Sequence, residues 1–200
     1  MDLGLAGKKA IVTAASRGLG RAVALRLAQE GVELAICARG EESLRRTGEE
    51  IQKAGGRVFS ATADVSDEKG IKEFVASSVK RLGAIDILVN NAGGQFPCPL
   101  EDISKNGWEA VIKNNLTGAF LMSKEVVKQT FKENGGVIVN ILADNRNGMP
   151  MMGHSGAARA GVENLTKTAA VEWAKYKIRV NAISPGIIES SGLETYDEKF

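Results

Sequence analysis

Short apolar runs alternate with helical stretches along almost the whole chain, and this alternation constrains the fold more than any other feature. Strands are predicted over 10–12, 32–38, 58–62, 85–89, 137–142 and 178–184. Helices are predicted over 21–29, 41–54, 67–82, within 104–131, and over 157–175. Strands this apolar are typical of a parallel sheet that the intervening helices cover on both faces. We therefore predict an α/β fold, a doubly wound Rossmann-like parallel sheet in one domain over 1–200.

The turn after the first strand has the composition of a phosphate-binding loop. It covers 13–20, has glycine at its last and third-last positions, and leads directly into a helical pattern. The backbone N–H groups and positive dipole of a helix N-terminus bind phosphate at such a turn. Its spacing differs from G-x-G-x-x-G, so a tight strand–helix connection is the alternative.

The residues that follow the second and third strands favour a dinucleotide with an extra phosphate. Ala38 stands where NAD-specific proteins often have an acid that binds the ribose 2′-hydroxyl, and Arg39 follows it. An arginine there suits a 2′-phosphate, and Arg17 adds a second positive charge. We therefore predict NADPH as the cofactor, with a solvated surface charge as the alternative for either arginine alone. Asp64 and Val65 follow the third strand and are expected near the adenine.

Composition limits the partners and the compartment. The chain has 200 residues, is 44% hydrophobic and 25% charged, and carries a net charge of +2, which favours neither nucleic acid nor an anionic membrane as partner. Cys37 and Cys98 lack metal-ligand spacing, so we predict reduced thiols and no metal site. No signal peptide or run of membrane length is visible. We expect a soluble cytoplasmic protein, or a peroxisomal one if the source is eukaryotic.

Taken together, these segments resemble the short-chain dehydrogenase/reductase family over nearly the whole chain. The matching segments are 13–20, Asp64, 90–93, 115–118 and 181–186. Family members usually have glycine where this chain has Ala14, and an alanine is expected there only with a negative φ. The cofactor-binding residues that the resemblance implies are Thr13, Ser16, Arg17, Gly18, Leu19, Gly20, Arg39, Asp64, Val65, Asn91, Ala92, Gly93, Arg159, Pro185, Gly186 and Ile188.

The catalytic positions depart from the family pattern. Ser155 stands at the family's tyrosine, Arg159 at its lysine and about Ala143 at its serine, while Asn115 is kept. The tyrosine protonates the alkoxide that forms when a ketone is reduced. Serine is a far weaker acid, and arginine does not exchange its proton near neutral pH. The usual carbonyl reduction is therefore disfavoured.

Reduction of an α,β-unsaturated thioester needs hydrogen-bond donors at the thioester oxygen rather than a tuned acid. The segments 93–96, 107–108, 154–162 and 164–167 resemble trans-2-enoyl-CoA reductases of the peroxisome, and dienoyl-CoA reductases also lack that tyrosine. The resemblance implies NADPH-dependent reduction of a trans-2-enoyl-CoA or dienoyl-CoA, with an acyl-CoA as substrate and with Asn115, Ser155 and Arg159 as catalytic residues. The alternatives are a non-catalytic NADPH-binding protein and a 3-ketoacyl or carbonyl reductase with an atypical acid.

The resemblance also bears on assembly and on the end of the chain. The family pairs its fourth and fifth helices between subunits, which implies a homo-oligomer, a tetramer or a dimer. Family members continue with further helices and a seventh strand, so we expect a C-terminally truncated domain without them. Two polar residues near the site have alternative interpretations. His154 is expected to be structural or exposed, with a catalytic acid as the alternative, and Asp144 is expected in a surface loop, with the pocket lining as the alternative.

Overall fold

Within residues 2–189, the part of the chain that the computed structural model describes, six strands form one sheet. They are β1 (Lys9–Thr13), β2 (Glu33–Ala38), β3 (Val58–Thr62), β4 (Ile87–Asn90), β5 (Gly136–Ile141) and β6 (Ile178–Ile183). The order is β3-β2-β1-β4-β5-β6, and every neighbouring pair is parallel. The order reverses between β1 and β4, where doubly wound sheets open a crevice at the strands' carboxyl ends. The predicted Rossmann-like α/β fold is confirmed.

Helices connect the strands. They are α1 (Gly18–Gln29), α2 (Glu41–Lys53), α3 (Glu68–Leu82), a continuous stretch over 105–134 that we name α4, and α5 (Gly153–Glu172). Two π-helical turns, Lys113–Thr117 and Val127–Phe131, interrupt the α-helical geometry of α4. Short 3₁₀ turns cover Leu100–Asp102 and Ala174–Tyr176. Within 2–189, no helix is both long and apolar enough to span a membrane.

Local signals explain where several elements begin and end. The Asp67 side chain accepts a hydrogen bond from the Lys69 N–H over 3.1 Å and so caps the N-terminus of α3. At Gly135, after α4, φ is +71° and a Cβ would lie 3.0 Å from the carbonyl oxygen of Lys177, so glycine suits this turn. α5 begins at Gly153, four residues before the predicted start. Its first turn has weak helix propensity, which the complete burial of its side chains overrides.

The sheet is covered on both faces, because successive side chains of a strand point to opposite sides. One face packs against α1 and α2 through residues such as Val12, Leu34, Ile36, Leu44 and Ile51. The other packs against α3, α4 and α5 through residues such as Ile11, Leu88, Phe74, Met122 and Ala169. Each fully buried apolar side chain of this size contributes about 1.5–3 kcal/mol. Packing on both faces of the sheet therefore holds the carboxyl ends of the strands in fixed positions.

A buried polar network ties the ends of β4 and β5 to the two helices beneath them. Asn90 Nδ2 donates to Asn140 Oδ1 over 2.9 Å and to Ser123 Oγ over 2.8 Å. Asn140 Nδ2 in turn donates to Thr166 Oγ1 over 2.8 Å. All four side chains are buried. Satisfied networks of this kind fix one arrangement of the elements they join, here β4, β5, α4 and α5.

Candidate active site

A cleft of about 650 Å³ opens at the carboxyl ends of the central strands. Its walls come from the turn after β1, the ends of β2 and β3, the segment after β4, and α5. Most of the predicted cofactor-binding residues line it: Ser16, Arg17, Gly18, Leu19, Gly20, Arg39, Asp64, Val65, Asn91, Ala92, Gly93 and Arg159. Gly94, Gln95 and Asn114 line it as well, although the sequence did not single them out as site residues.

The turn between β1 and α1 brings a helix N-terminus to the cleft. α1 begins at Gly18, directly after the extended Arg17. A Cβ on Gly20 would overlap the Ala14 carbonyl oxygen and the Asn91 amide nitrogen, so only glycine allows the helix to pack this closely. The first N–H groups of such a helix lack carbonyl partners within the helix and are free to bind an anion.

Ala14 contradicts the expectation of a negative φ, since its φ is +52°. Two hydrogen bonds hold this conformation: Asn91 Nδ2 donates to the Ala14 oxygen over 3.3 Å, and the Ala15 N–H donates to the Cys37 oxygen over 3.1 Å. An alanine in the left-handed region is strained by roughly 1–2 kcal/mol. The surrounding strand ends therefore impose the turn on a residue that does not favour it.

Thr13 helps to shape the cleft by joining two of the segments that form it. Its side chain is buried, and its Oγ1 accepts the N–H groups of Asn91 and Ala92 over 3.0 and 2.9 Å. Asn91 Nδ2 returns a bond to the Thr13 oxygen over 3.1 Å. These bonds join the end of β1 to the segment after β4. Thr13 thus shapes the site without being among the residues that line it.

One end of the cleft is rich in positive charge. Arg17 and Arg39 both line it there, together with Asp64. Partial burial alone would raise the pKa of Asp64. Hydrogen bonds from Ser66 and the charges of Arg39 and Lys113 outweigh that effect and lower the pKa below its ordinary value. Asp64 therefore stays ionised, and its carboxylate anchors this turn through the Ser66 N–H over 2.8 Å.

At the other end of the cleft, the side chains of Gln95, Ser155 and Arg159 form a hydrogen-bonded chain. The Ser155 side chain is fully buried; its Oγ donates to Gln95 Oε1 over 2.7 Å and accepts from Arg159 Nε over 3.3 Å. Arg159 Nη1 also donates to the Ile141 oxygen over 3.2 Å. Gln95 and Arg159 line the cleft, whereas Ser155 lies behind Gln95. The sequence signals for Gln95 were the two glycines before it and its place in 93–96, a segment that resembles the enoyl-CoA reductases.

Asn115 lies beside these three hydrogen-bonded side chains, in the first π-helical turn of α4. Its side chain is buried, and its Oδ1 accepts the Gly94 N–H over 2.8 Å. Its Nδ2 has no hydrogen-bond partner among the described residues. A Cβ on Gly93 would lie 3.1 Å from Arg159 Nη2 and 3.4 Å from Asn115 Oδ1, so glycine lets the segment pass over both side chains. Asn115 therefore anchors the segment that carries Gln95.

The predicted cofactor-binding residues in 185–188 are not among those that line the cleft. The Pro185 oxygen accepts the Asp144 N–H over 3.2 Å, which places 185–188 beside the loop after β5. Gly186 and Ile188 belong to the same segment and, like Pro185, are outside the cleft lining. The Asp144 side chain is exposed, and its hydrogen bonds with Arg146 lower its pKa to about 2, so it holds no proton near neutral pH. The expected truncation concerns residues outside the described part of the chain.

Comparison with known proteins decides the family. The family described as short chain dehydrogenase matches residues 8–199. The chain belongs to the short-chain dehydrogenase family. Its members are oxidoreductases that use a nicotinamide cofactor, and the sheet, the β1–α1 turn and the cleft agree with that.

Relatives within this family carry names of different reactions. A "Probable 2,4-dienoyl-CoA reductase" of Bacillus subtilis is 40% identical, over 92% of this chain and 74% of its own length. A glucose 1-dehydrogenase of Gluconobacter oxydans is 42% identical, over 92% and 70%. Among solved structures, the citronellol catabolism dehydrogenase of Pseudomonas aeruginosa is 46% identical with a TM-score of 0.87, over 90% of this chain and 74% of its own. An actinorhodin polyketide ketoreductase with NADPH is 37% identical with a TM-score of 0.89, over 92% and 72%.

The short-chain dehydrogenase site fits a nicotinamide dinucleotide. The cleft has the volume of a large ligand site, and Gly20 leaves no room for a side chain between the helix start and the strand ends. Gly18 has a φ of +54° with open space where its Cβ would be, which allows close approach of a phosphate. Arg17 and Arg39 line one end of this cleft, and Gln95 and Arg159, which Ser155 joins, line the other.

Among the described residues, no tyrosine lines this cleft. Within 2–189 the only tyrosine is Tyr176, whose ring lies between Lys132 and Lys175 at the amino end of β6, away from the strands' carboxyl ends. Tyr196 lies outside the described residues. Ser155, which the sequence analysis aligned with the family's tyrosine, is buried, and its hydroxyl donates to the Gln95 amide oxygen.

Proposed function

We propose that this short-chain dehydrogenase reduces the carbon–carbon double bond of a trans-2-enoyl-CoA or dienoyl-CoA thioester with NADPH. One observation carries the proposal. Where ketone reductases of the family have a phenolic acid, Ser155 is buried and hydrogen-bonded to Gln95. Such a site offers hydrogen bonds to a substrate oxygen but no group that readily gives up a proton.

The preference for NADPH rests on the charges at one end of the cleft. Arg17 and Arg39 line that end beside Gly40 and Ser43, and no acid stands at Ala38. Two guanidinium groups and a hydroxyl suit a 2′-phosphate, since charge-assisted hydrogen bonds to phosphate are the stronger class. The unphosphorylated ribose of NADH would form none of these charge-assisted hydrogen bonds.

The direction of each hydrogen bond at the catalytic end determines which group is left for the substrate. Arg159 Nε is a donor only, so Ser155 Oγ accepts from it and gives its own proton to Gln95. Gln95 Oε1 thus accepts from Ser155, and the amide NH₂ is the part of Gln95 that can donate a hydrogen bond to a ligand in the cleft. A positive charge at the start of such a chain polarises each following bond and strengthens the last donor.

When bound, the cofactor supplies a hydride to the β-carbon of the thioester. Negative charge then develops on the thioester oxygen, and the Gln95 NH₂ donates a hydrogen bond to it. Ser155 and Arg159 act through Gln95 by holding and polarising its amide. Arg159 also contributes positive potential at the cleft wall, and Asn115 keeps the backbone of Gly94 in place. Water protonates the α-carbon.

Two other functions remain in competition. The fully buried Ser155 also suits a non-catalytic NADPH-binding protein, because within 2–189 no tyrosine lines the cleft to protonate a substrate oxygen. Two of the relatives have names that indicate carbonyl chemistry, so a carbonyl reductase with an atypical acid is the third candidate.

One experiment separates the three. NADPH oxidation is measured with a panel of enoyl-CoA, dienoyl-CoA and 3-ketoacyl-CoA thioesters, and with NADH in place of NADPH. The proposal predicts turnover of the unsaturated thioesters alone. Turnover of ketoacyl-CoA alone supports the carbonyl reductase, and NADPH binding without any turnover supports the non-catalytic protein. Tyr176→Phe serves as a control that should change none of these results, because its ring lies away from the cleft.

A further inference from the structure

We propose that His154 is a positioning residue that keeps Gln95 and Ser155 in contact by holding the chain neighbours of both. This proposal rests on the function proposed above for Gln95 and Ser155. His154 itself does not line the cleft and, in this account, never contacts the substrate.

On one side, His154 fixes the backbone of Ser155. Its Nδ1 accepts the Ser155 N–H over 2.9 Å. Ser155 lies in the first turn of α5, where backbone N–H groups have no carbonyl partner within the helix, and Met152 provides no side-chain cap. The side chains of His154 and Ser155 are both completely buried, so water does not replace the missing carbonyl partner of the Ser155 N–H. His154 therefore caps the helix at the residue that contacts Gln95.

On the other side, His154 fixes the residue next to Gln95. The rings of His154 and Phe96 meet edge to face, with centroids 4.5 Å apart and planes at 86°. Phe96 also rests on Gly107 of α4, where an added Cβ would come within 2.8 Å of its ring. Gln95 lies in a segment without regular secondary structure, so its neighbours set its position.

Gln95 is thus held between two anchors. Before it, Gly94 donates its N–H to Asn115; after it, Phe96 packs on His154. His154 joins the second anchor to the backbone of Ser155, whose hydroxyl binds the Gln95 amide. The same bond shows which nitrogen of the ring carries the proton: Nδ1 accepts, so the proton is on Nε2, which has no partner among the described residues. A purely apolar ring would fill this space but would provide no acceptor.

Two substitutions separate the two contacts. His154→Phe keeps a ring against Phe96 and removes the acceptor, whereas His154→Asn keeps an acceptor near the Nδ1 position and removes the ring. We expect His154→Phe to lower kcat for an enoyl-CoA roughly tenfold with NADPH affinity unchanged, and His154→Asn to recover part of that loss.

The decisive readout is the dependence on Gln95. If His154 acts through Gln95, His154→Phe has almost no further effect on kcat in a Gln95→Ala background. An equal loss of kcat in both backgrounds would overturn the proposal and indicate a general structural role. Phe96→Leu, which removes the other contact, is measured in the same two backgrounds in case His154→Phe does not fold.

A second readout needs no turnover. In the full chain, amide exchange of the Ser155 N–H and the NMR signals of the Gln95 side-chain amide are compared between the unmodified protein and His154→Phe. We expect faster exchange at Ser155 and a changed Gln95 signal. If both stay as they were, His154 does not position the pair, whether or not an enoyl-CoA is the substrate. If both change but no thioester is reduced, the proposed function fails and the positioning role stands.

Discussion

Replacing Ser155 by alanine removes one hydroxyl from the chain of three hydrogen-bonded side chains at the catalytic end. Ser155 Oγ donates to Gln95 Oε1 over 2.7 Å and accepts from Arg159 Nε over 3.3 Å. The variant leaves the Gln95 amide in the cleft but takes away the bond that orients it. Its effect should therefore be smaller than that of removing Gln95 itself.

The expected magnitudes follow from the kinds of bond that are lost. A hydrogen bond between neutral groups contributes about 0.5–1.5 kcal/mol, so Ser155→Ala should lower kcat by roughly 2- to 12-fold. Gln95→Ala removes the donor to the developing oxyanion and should lower kcat by about 10²–10³. The double variant should be no slower than Gln95→Ala, because the hydroxyl acts only through the amide. NADPH affinity should barely change in any of the three.

The assay is steady-state NADPH oxidation with crotonyl-CoA, with the dissociation constant of NADPH measured separately. Ser78→Ala is the matched control: Ser78 is also fully buried in a helix and donates to the Phe74 oxygen over 2.8 Å, but on α3. It should leave kcat unchanged. The reasoning is refuted if Ser155→Ala alone costs as much as Gln95→Ala and the two losses multiply, since Ser155 would then contact the substrate directly.

Other predictions address the cofactor, the backbone, the thiols and assembly. Arg39→Ala should weaken NADPH binding about tenfold or more with NADH binding unchanged; equal affinity for both cofactors before mutation would contradict this. Ala14→Gly should raise the free energy of unfolding by about 0.5–1 kcal/mol in urea titrations, since it removes left-handed strain at the cost of chain entropy. Burial raises the pKa of the Cys37 thiol to about 12, so a thiol reagent at pH 8 should label Cys98 in the folded protein and both cysteines only after unfolding. Phe120 is partly exposed beside an apolar groove between α4 and α5, so Phe120→Glu should dissociate the expected homo-oligomer in sedimentation; a monomer before mutation would contradict that expectation.

The fold could be predicted because the inner strands of this sheet are mostly apolar and every connection between strands contains a helical pattern. Apolar strands that alternate with helical segments indicate a sheet covered on both faces, so the doubly wound class could be predicted from the sequence. The exact ends of the strands and helices could be predicted less accurately than their existence. The expected strand at 85–89 instead covers Ile87–Asn90, and the Ile85 N–H donates to the Thr130 side chain rather than to a neighbouring strand.

The site could be predicted only in part, for reasons that differ between residues. The turn after β1 was visible because glycines and an apolar strand mark it. The φ of Ala14 was not, since it is imposed by bonds from Asn91 and to Cys37, residues far away in the sequence. The contact of Gln95 with Ser155 joins a loop to the first turn of α5, at positions 60 residues apart, and no local pattern encodes such a pairing.

The central claim is that the hydride goes to carbon of a double bond rather than to a carbonyl carbon. It is tested most directly with NADPH deuterated at the transferred position, incubated with crotonyl-CoA and, separately, with acetoacetyl-CoA. We predict deuterium at the β-carbon of butyryl-CoA, on one face only, and no product from acetoacetyl-CoA. Deuterated 3-hydroxybutyryl-CoA with crotonyl-CoA left intact, or no transfer at all by a protein that binds NADPH, would contradict the account.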